Sequence, residues 1–466
     1  MKKAFIYLVA VAFIAAMTVS CTTTNPDPQQ EDPVEDPEEP QIDPKDLSPF
    51  TLSVPITQNW IYSGKPSFTI HVENPNKVAV MAGAKVVIVT DKRAAVTTVI
   101  DSVKIPANGK KDIVLTTDED LAPGFYRATC SVNGKGARTS FVFGVDPDKL
   151  VSAPDKQADF DDYWATAKDQ LAKVDMNATL TEITFRSSAA EKVYLVEMQS
   201  VPDGVTGEPV VIHGYYVEPQ DEKKHPVIVH FFGYDDQSPK GKLDCPSGGN
   251  TADYAEFYLS TRGQMINNRK ADQRVTDGKG DFVNTYGDWF AFHFGQKDSY
   301  YYRGAFMDCV QAVRFMATRS TSDMDNLFAE GSSQGGAFSY AAAALSDHPF
   351  SAIAPCVAFL GDFPDYFDIV SWPGEVAKSN KGSMSNDEMY AFLSYFDTKN
   401  LATRIKCPVI ACSGLQDGTC PPHTNRAPFN NLTNTDKEMY YYPEMGHEIP
   451  ADWPGKYMNF FKARIK

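Results

Sequence analysis

The segment Glu330-Gly331-Ser332-Ser333-Gln334-Gly335-Gly336 has the residue types and spacing of an activated nucleophile. It follows the apolar run Leu327-Phe328-Ala329 and precedes an Ala-rich stretch that ends near Leu345. Strand, Gly-x-Ser-x-Gly and helix in that order make a nucleophile elbow. The turn at Ser333 is too tight for side chains two residues to either side, which accounts for Gly331 and Gly335. Such a turn lifts the hydroxyl clear of the sheet and sets a helix N-terminus beside the reacting carbonyl. The pentapeptide alone is a weak signal, because small-residue turns before helices are common. Its partners must be found elsewhere in the chain.

A serine hydroxyl needs a base in reach and a carboxylate to orient that base. Where this elbow is used, the chain order is Ser, then Asp or Glu, then His, with the later members on loops after late strands. Cys407-Pro408-Val409-Ile410-Ala411-Cys412-Ser413 reads as a buried parallel strand and Gly414-Leu415-Gln416-Asp417-Gly418 as the loop leaving it, so Asp417 falls at a strand end. The competing reading of Asp417 is a turn carboxylate beside Gly418. Met439-Tyr440-Tyr441-Tyr442 reads as one more strand, and His447 lies in the loop after it, where the base belongs. A rival base, His423, lies soon after Asp417 but ahead of that last strand. The tetrahedral oxyanion requires a pair of donors. The backbone N–H of Gln334, next after the nucleophile, is one. The second is assigned to the backbone of Tyr234, because Phe232-Gly233-Tyr234 leaves the early strand Pro226-Val227-Ile228-Val229-His230-Phe231. A simple strand-ending glycine turn is the alternative for that segment.

Taken with Arg262-Gly263-Gln264 and His447-Glu448, the serine motif resembles the three-motif signature of the acetyl xylan esterase and cephalosporin-C deacetylase family, carbohydrate esterase family seven. Similar connecting segments are Tyr301-Tyr302-Arg303-Gly304 with Asp308, Phe359-Leu360-Gly361-Asp362-Phe363-Pro364 and Asp417-Gly418-Thr419-Cys420-Pro421-Pro422. The resemblance spans about residues 150–466. It implies an α/β-hydrolase fold, a mostly parallel sheet covered by helices, and deacetylation of sugars by Ser333, Asp417 and His447 with Tyr234 and Gln334 as the oxyanion hole. It also suggests a homo-oligomer, although an added N-terminal region could block the usual assembly. It marks Arg262, Gly263, Gln264 and Glu448, which the triad chemistry does not itself require. Arg262 carries a planar fork suited to a carboxylate, and Glu448 adjoins the base. The two are therefore expected to hold the His447 loop in register, against the alternative of two independent surface charges. There are departures from the family pattern. Its His-Gly-Tyr-x-Gly turn reads Phe232-Gly233-Tyr234-Asp235-Asp236, and Met265 replaces the glycine that usually ends Asp-Val-Arg-Gly-Gln-Gly. Two carboxylates beside the acyl pocket would repel an anionic substrate.

The elements that carry these residues begin well inside the chain. Lys2 and Lys3 precede a nearly unbroken apolar run, Ala4 through Met17, and Thr18-Val19-Ser20-Cys21 ends it. Residues 1–20 read as a lipoprotein signal peptide, too short for a comfortable membrane span. Cys21 is expected to be lipidated and to anchor an exported bacterial protein to the membrane of the cell envelope. An ordinary signal peptide with an incidental cysteine is the alternative. Residues 22–48 hold nine Asp or Glu against one Lys, so this stretch contributes −8 of the chain's −16. With six prolines it reads as an extended acidic tether over 21–48. Acidity of this kind argues against nucleic acid, which needs a basic face.

From Phe50 to Val145 the apolar period is two: Phe50, Leu52, Val54 and Ile56 alternate, as do Phe68, Ile70 and Val72. Asn108-Gly109 and Asn133-Gly134 sit between apolar runs as hairpin turns. Residues 49–146 are expected to form a small all-β sandwich, as a glycan binder or a spacer. Phe160, Tyr163, Trp164, Ala167, Leu171 and Val174 then share one helical face and open the catalytic domain, 150–466. Beyond Cys21 there are seven cysteines, so an exported chain keeps at least one free thiol unless chains cross-link. The eight histidines are scattered without metal-ligand spacing, and neither metal nor other cofactor is expected. The leading reading is a serine esterase acting on acetylated carbohydrate. A serine peptidase or other acyl hydrolase shares its triad chemistry, and a non-catalytic glycan-binding lipoprotein on a retained scaffold is the reading from a different class.

Overall fold

The computed structural model describes residues 46–132, 137–234, 243–244, 253–264, 266–267 and 286–466. The expected signal peptide, Cys21, all but the end of the acidic tether, the Asn133-Gly134 turn, Asp235, Asp236 and Met265 lie outside the described residues.

Period-two patterning produces eight strands among the described residues of the N-terminal part. They are β1 (Thr51–Ser53), β2 (Ile61–Tyr62), β3 (Ser67–Glu73), β4 (Val80–Thr90), β5 (Ala95–Ile105), β6 (Lys110–Thr116), β7 (Gly124–Val132) and β8 (Arg138–Val145). A three-stranded sheet, β1-β3-β6, faces a five-stranded one, β2-β8-β7-β4-β5. Phe68, Ile70 and Val72 point inward from the first, and Val86, Ile88, Phe141 and Phe143 from the second. Ring contacts such as Phe68 with Phe143, centroids 5.1 Å apart, close the sandwich. The flanks of Asn133-Gly134 pair as a hairpin, β7 with β8. Asn108-Gly109 does not make one, because β5 and β6 belong to different sheets. The Asn74 amide donates to the carbonyls of Ile105 (3.3 Å) and Pro106 (3.0 Å), which ends β5 and turns the chain across to the facing sheet.

In the C-terminal part the strands are β9 (Thr179–Glu182), β10 (Glu191–Pro202), β11 (Pro209–Pro219), β12 (His225–Phe231), β13 (Leu243–Asp244), β14 (Ala255–Ser260), β15 (Ile266–Asn267), β16 (Ser322–Ser332), β17 (Ala352–Cys356), β18 (Val409–Gly414) and β19 (Lys437–Tyr442). All but β13 and β15 form one nine-stranded sheet, ordered β19-β18-β17-β16-β12-β14-β11-β10-β9. From β14 through β19 the pairs are parallel, and β11, β10 and β9 extend the sheet antiparallel. The helices are α1 (Phe160–Ala172), α2 (Tyr301–Ala317), α3 (Gln334–Leu345), α4 (Phe363–Ile369), α5 (Gly374–Asn380), α6 (Asn386–Leu393), α7 (Thr398–Ala402), α8 (Pro422–Asn430) and α9 (Trp453–Lys462).

Successive residues of the central strands divide between two cores, as strand geometry requires. Val227, Val229, Leu327, Ala329 and Val409 join the cluster that includes α1, α2 and α3. Ile228, Phe328, Ala354 and Ile410 join Trp453, Phe460 and Phe461 of α9 on the other face. Both faces are therefore buried, which is why these strands read as unbroken apolar runs. The chain has the α/β-hydrolase architecture preceded by an all-β region.

Ser48–Lys466 is one compact unit, and the sandwich is seated on the catalytic part rather than held off it. Leu415 lies in the sandwich core, and Tyr441 packs on Phe125, centroids 5.9 Å apart. The turn between β4 and β5 docks through charges. Asp91 meets His423 Nδ1 at 2.7 Å, and Lys92 pairs with Asp365. His423 Nε2 lies 3.0 Å from Asp365 and 3.5 Å from Asp362. Burial by itself would lower the imidazole pKa, but Asp362, Asp365 and Asp91 outweigh it and push it up to about 11.

That geometry fixes the sign of a pH effect. The folded pKa of His423 lies above the unfolded value, so its contribution is complete below about 6.5 and declines as pH rises toward about 11. His423→Gln should lower stability by roughly 3–5 kcal/mol near neutral pH, since it leaves buried carboxylates uncompensated. Chemical denaturation across a pH series should show the gap between native protein and variant shrinking in alkali. A gap that stays constant or widens there would contradict this account.

Candidate active site

The elbow is built by steric exclusion. Ser333 adopts φ 56° and ψ −121°, a region that costs a non-glycine residue on the order of 1–3 kcal/mol. A Cβ on Gly331 would collide with the Gly335 carbonyl, and one on Gly335 would collide with the Phe231 carbonyl of β12. Neither glycine has a positive φ, so space rather than backbone freedom requires them. Neighbouring strand ends hold the strained residue. Ser333 N–H donates to Cys356 O (2.9 Å), and Phe359 N–H donates to Ser333 O (2.9 Å).

His447 Nε2 lies 2.9 Å from Ser333 Oγ, and His447 Nδ1 lies 2.8 Å from Asp417 Oδ2. Asp417 Oδ1 accepts the backbone N–H groups of Thr419 and Cys420, both at 2.8 Å. Its side chain is fully buried, while that of His447 is 26% exposed. The carboxylate is thus fixed and dry, while the imidazole reaches the surface. Asp417 follows β18 and His447 follows β19, as the chain order anticipates. A cavity of about 620 Å³ lies by Phe350 and Pro408 at the opposite strand ends and takes no part in this arrangement.

Gln334 opens α3, so its N–H has no acceptor within the helix. Its side-chain Oε1 is engaged from below by Tyr302 OH at 2.9 Å. Tyr234 follows β12, and its OH donates to Asp288 Oδ1 at 2.8 Å. The rings of Tyr234, Trp289, Phe359 and Trp372 pack on one another beside this turn.

Arg262, Gly263 and Gln264 serve the Tyr234 side and not the His447 loop. Arg262 and Glu448 do not pair: the guanidinium is buried against Asp308 of α2, with Nε at 2.9 Å and Nη2 at 2.7 Å from its two oxygens. Only a residue without a side chain fits beneath it, and Gly304 supplies the space. Asp308, two α-helical turns into the core, gives a dry and bidentate partner that an exposed glutamate cannot match. Glu448 is exposed. Gly263, at φ 77°, makes the turn. Gln264 then donates to the Gly233 carbonyl at 3.2 Å, directly under the segment assigned the second oxyanion donor.

His423, committed to its carboxylates, is not placed as a base. Asp362, Asp365 and His423 bring ligand atoms within 4.8 Å of one another, but a protonated imidazole has no lone pair for a metal and Lys399 already pairs with Asp362. Cys420 packs beside Ser333. Burial and then Asp417 hold its thiol well above the usual range, so it stays neutral. The six described cysteines are all buried and free. Gln416 is a support that sequence reasoning misses, because a loop amide belongs to no pattern. Its side chain accepts Val142 N–H of β8 (2.9 Å) and donates to Val142 O (3.1 Å) and to Pro443 O (2.7 Å), which ties the Asp417 and His447 loops to the sandwich.

Two outcomes follow for these supports. Arg262→Ala should cost roughly 3–5 kcal/mol by leaving Asp308 unpaired; in double-mutant cycles it should couple to Asp308→Ala and add independently to Glu448→Ala. Gln416→Ala should lower kcat about tenfold or more through a displaced acid–base pair. Gln416→Glu should not restore it, since a carboxylate cannot donate to the Val142 and Pro443 carbonyls. Normal turnover in a folded Gln416→Ala protein would remove this positioning role.

Comparison with known proteins agrees with the geometry. The family described as acetyl xylan esterase (AXE1) matches residues 148–464, all but the end of the catalytic part. The acetyl esterase Axe7A of Xylanibacter ruminicola is 26% identical over 359 residues, 74% of this chain and 75% of that protein. Acetyl xylan esterase 1 from Thermoanaerobacterium sp. JW/SL YS485 has a crystal structure similar at TM-score 0.57 and 25% identity, over 68% of this chain and 98% of its own. The acetyl xylan esterase from Paenibacillus sp. R4 is similar at TM-score 0.57 and 27% identity, with the same coverage. With the motif residues gathered at one end of an α/β-hydrolase sheet and the family match spanning that whole region, this chain belongs to the acetyl xylan esterase (AXE1) family.

Proposed function

We propose that the protein is a serine carboxylesterase that removes acetyl groups from carbohydrate through an acyl-enzyme, with Ser333 as nucleophile, His447 as base and Asp417 orienting it. The observation that carries this reading is the continuous relay from Ser333 Oγ to His447 at 2.9 Å and from His447 to Asp417 at 2.8 Å. Ser333 attacks the acetyl carbonyl while His447 Nε2 takes its proton. The oxyanion is met by the N–H groups of Gln334 and Tyr234; as the tetrahedral intermediate collapses and the C–O bond breaks, His447 gives the proton to the departing sugar oxygen, which leaves as a hydroxyl. Water then repeats the cycle on the acetyl-enzyme, again with His447 as base. Phe359, whose backbone N–H donates to Ser333 O, packs its ring with those of Tyr234 and Trp372, and this apolar cluster supports a short acyl group.

The same reading places the enzyme in the bacterial cell envelope. Lys2-Lys3, the apolar run to Met17 and Cys21 support a lipoprotein signal, and the acidic stretch of residues 22–48 supports a tether.

An activated acetyl ester, its butyryl homologue and a chromogenic peptide should be offered to the purified protein. The acetyl ester should be cleaved fastest and the peptide not at all; cleavage of the peptide alone would replace an esterase by a peptidase. Ser333→Ala and His447→Ala should each reduce kcat by roughly 10⁴–10⁶ without unfolding the protein. A folded Ser333→Ala protein that keeps its activity would remove the nucleophile from this scheme. Radiolabelled palmitate incorporation in a bacterial host, lost in Cys21→Ala, tests the anchor.

A further inference from the structure

A cavity of about 200 Å³ lies where the sandwich meets the Asp417 loop. Its walls come from both parts of the chain. Arg93 and Arg127 line it from the sandwich, and Asp417, Gly418 and His423 from the catalytic part, with the half-buried Val370 as an apolar part of the lining.

The charges around it do not cancel. Asp91 is matched by His423 at 2.7 Å. Asp417 is occupied by His447 and two backbone N–H groups. Arg93 and Arg127 are exposed, and among the described residues no carboxylate pairs with either. In a chain of net charge −16, two uncompensated guanidiniums on one cavity are a local reversal of sign.

Their placement is specified by the fold. Arg93 sits at φ 68° in the β4–β5 turn, where an L side chain is costly. Its N–H is held by Thr90 O at 2.9 Å, and Lys92 beside it is anchored on Asp365. Arg127 of β7 is directly opposite Val142 of β8. Val142 is the residue gripped by Gln416, next in sequence to Asp417. One arginine is thus fixed by the docked turn, and the other stands across the strand from the clamp on the acid loop.

We propose that this cavity is a subsite for a carboxylate-bearing sugar, a uronic acid residue of the acetylated carbohydrate, with Arg93 and Arg127 receiving the carboxylate. The subsite rests on the esterase reading and narrows its substrate class. A planar carboxylate matches the guanidinium fork, and the Val370 side of the lining suits the C–H face of a pyranose ring. With two guanidiniums in its lining, the cavity on the acid-loop side can accommodate an anionic branch. The sandwich becomes a selector of substrate in addition to a support for the loops.

The full-length Ser333→Ala protein separates binding from turnover. Calorimetry with an acetylated oligosaccharide bearing glucuronic acid should show binding that weakens about tenfold or more when Arg93→Ala and Arg127→Ala are added. The neutral oligosaccharide of the same backbone should bind more weakly and be indifferent to those changes. In the active enzyme, the ratio of kcat/KM for acidic over neutral substrate should fall by the same factor, through KM. Equal affinity for the two oligosaccharides, or equal loss on both in the double variant, would overturn the subsite. Failure of the unsubstituted enzyme to deacetylate the neutral oligosaccharide would instead count against the esterase reading, while the binding result would still decide the subsite.

Discussion

Close approach of backbone to backbone under Ser333 is the constraint on which the site depends. Phe231 of β12, Gly331 of β16 and Gly335 of α3 come together without an intervening side chain, and Ser333 is forced to φ 56° and ψ −121° by that contact. The strain is balanced by hydrogen bonds from the ends of β17 and the segment after it. Four central elements thereby converge on one hydroxyl. The same convergence brings the end of β12, with Tyr234, beside the N-terminus of α3, with Gln334, so nucleophile and assigned oxyanion donors share one piece of geometry.

Around that point the supports divide into two sets. On the oxyanion side, Arg262 is fixed by Asp308, and Gln264 carries the constraint to the Gly233 carbonyl. On the acid–base side, Gln416 joins Asp417, the His447 loop and β8 of the sandwich. The first set is buried in the catalytic core. The second reaches across the molecule to a region outside the family match, which begins at residue 148. An N-terminal region that would otherwise be read as a spacer is therefore mechanically part of the site. Its charged dock through Asp91, Lys92 and His423 fixes the same loop region from the other end.

Much of this arrangement is legible in the amino-acid sequence. Steric demands at Ser333 are expressed within five residues, and strand ends before Tyr234, Asp417 and His447 are marked by local apolar runs and glycines. The alternation from Phe68 to Val72 and the helical face from Phe160 to Leu171 both hold in the fold. Asn108-Gly109 departs from the hairpin it suggests, because a turn signal states that the chain reverses, not which sheet receives it. Charge and closeness to the motif residues likewise suggest a pair between Arg262 and Glu448. Desolvation decides otherwise, since a buried guanidinium requires a carboxylate buried with it.

What the sequence alone determined is the candidate residues and their order along the chain: a serine on an elbow, a carboxylate and an imidazole after later strands, and a family signature through them. These rest on short-range sterics and on periods of two and 3.6 residues, which any segment displays by itself. Tertiary structure decided the partners. Arg262 and Asp308 are 46 residues apart, and Gln416 meets Val142 across 274. Pairings at that range depend on which surfaces the folded core brings together and which charges it removes from water. No local pattern encodes them.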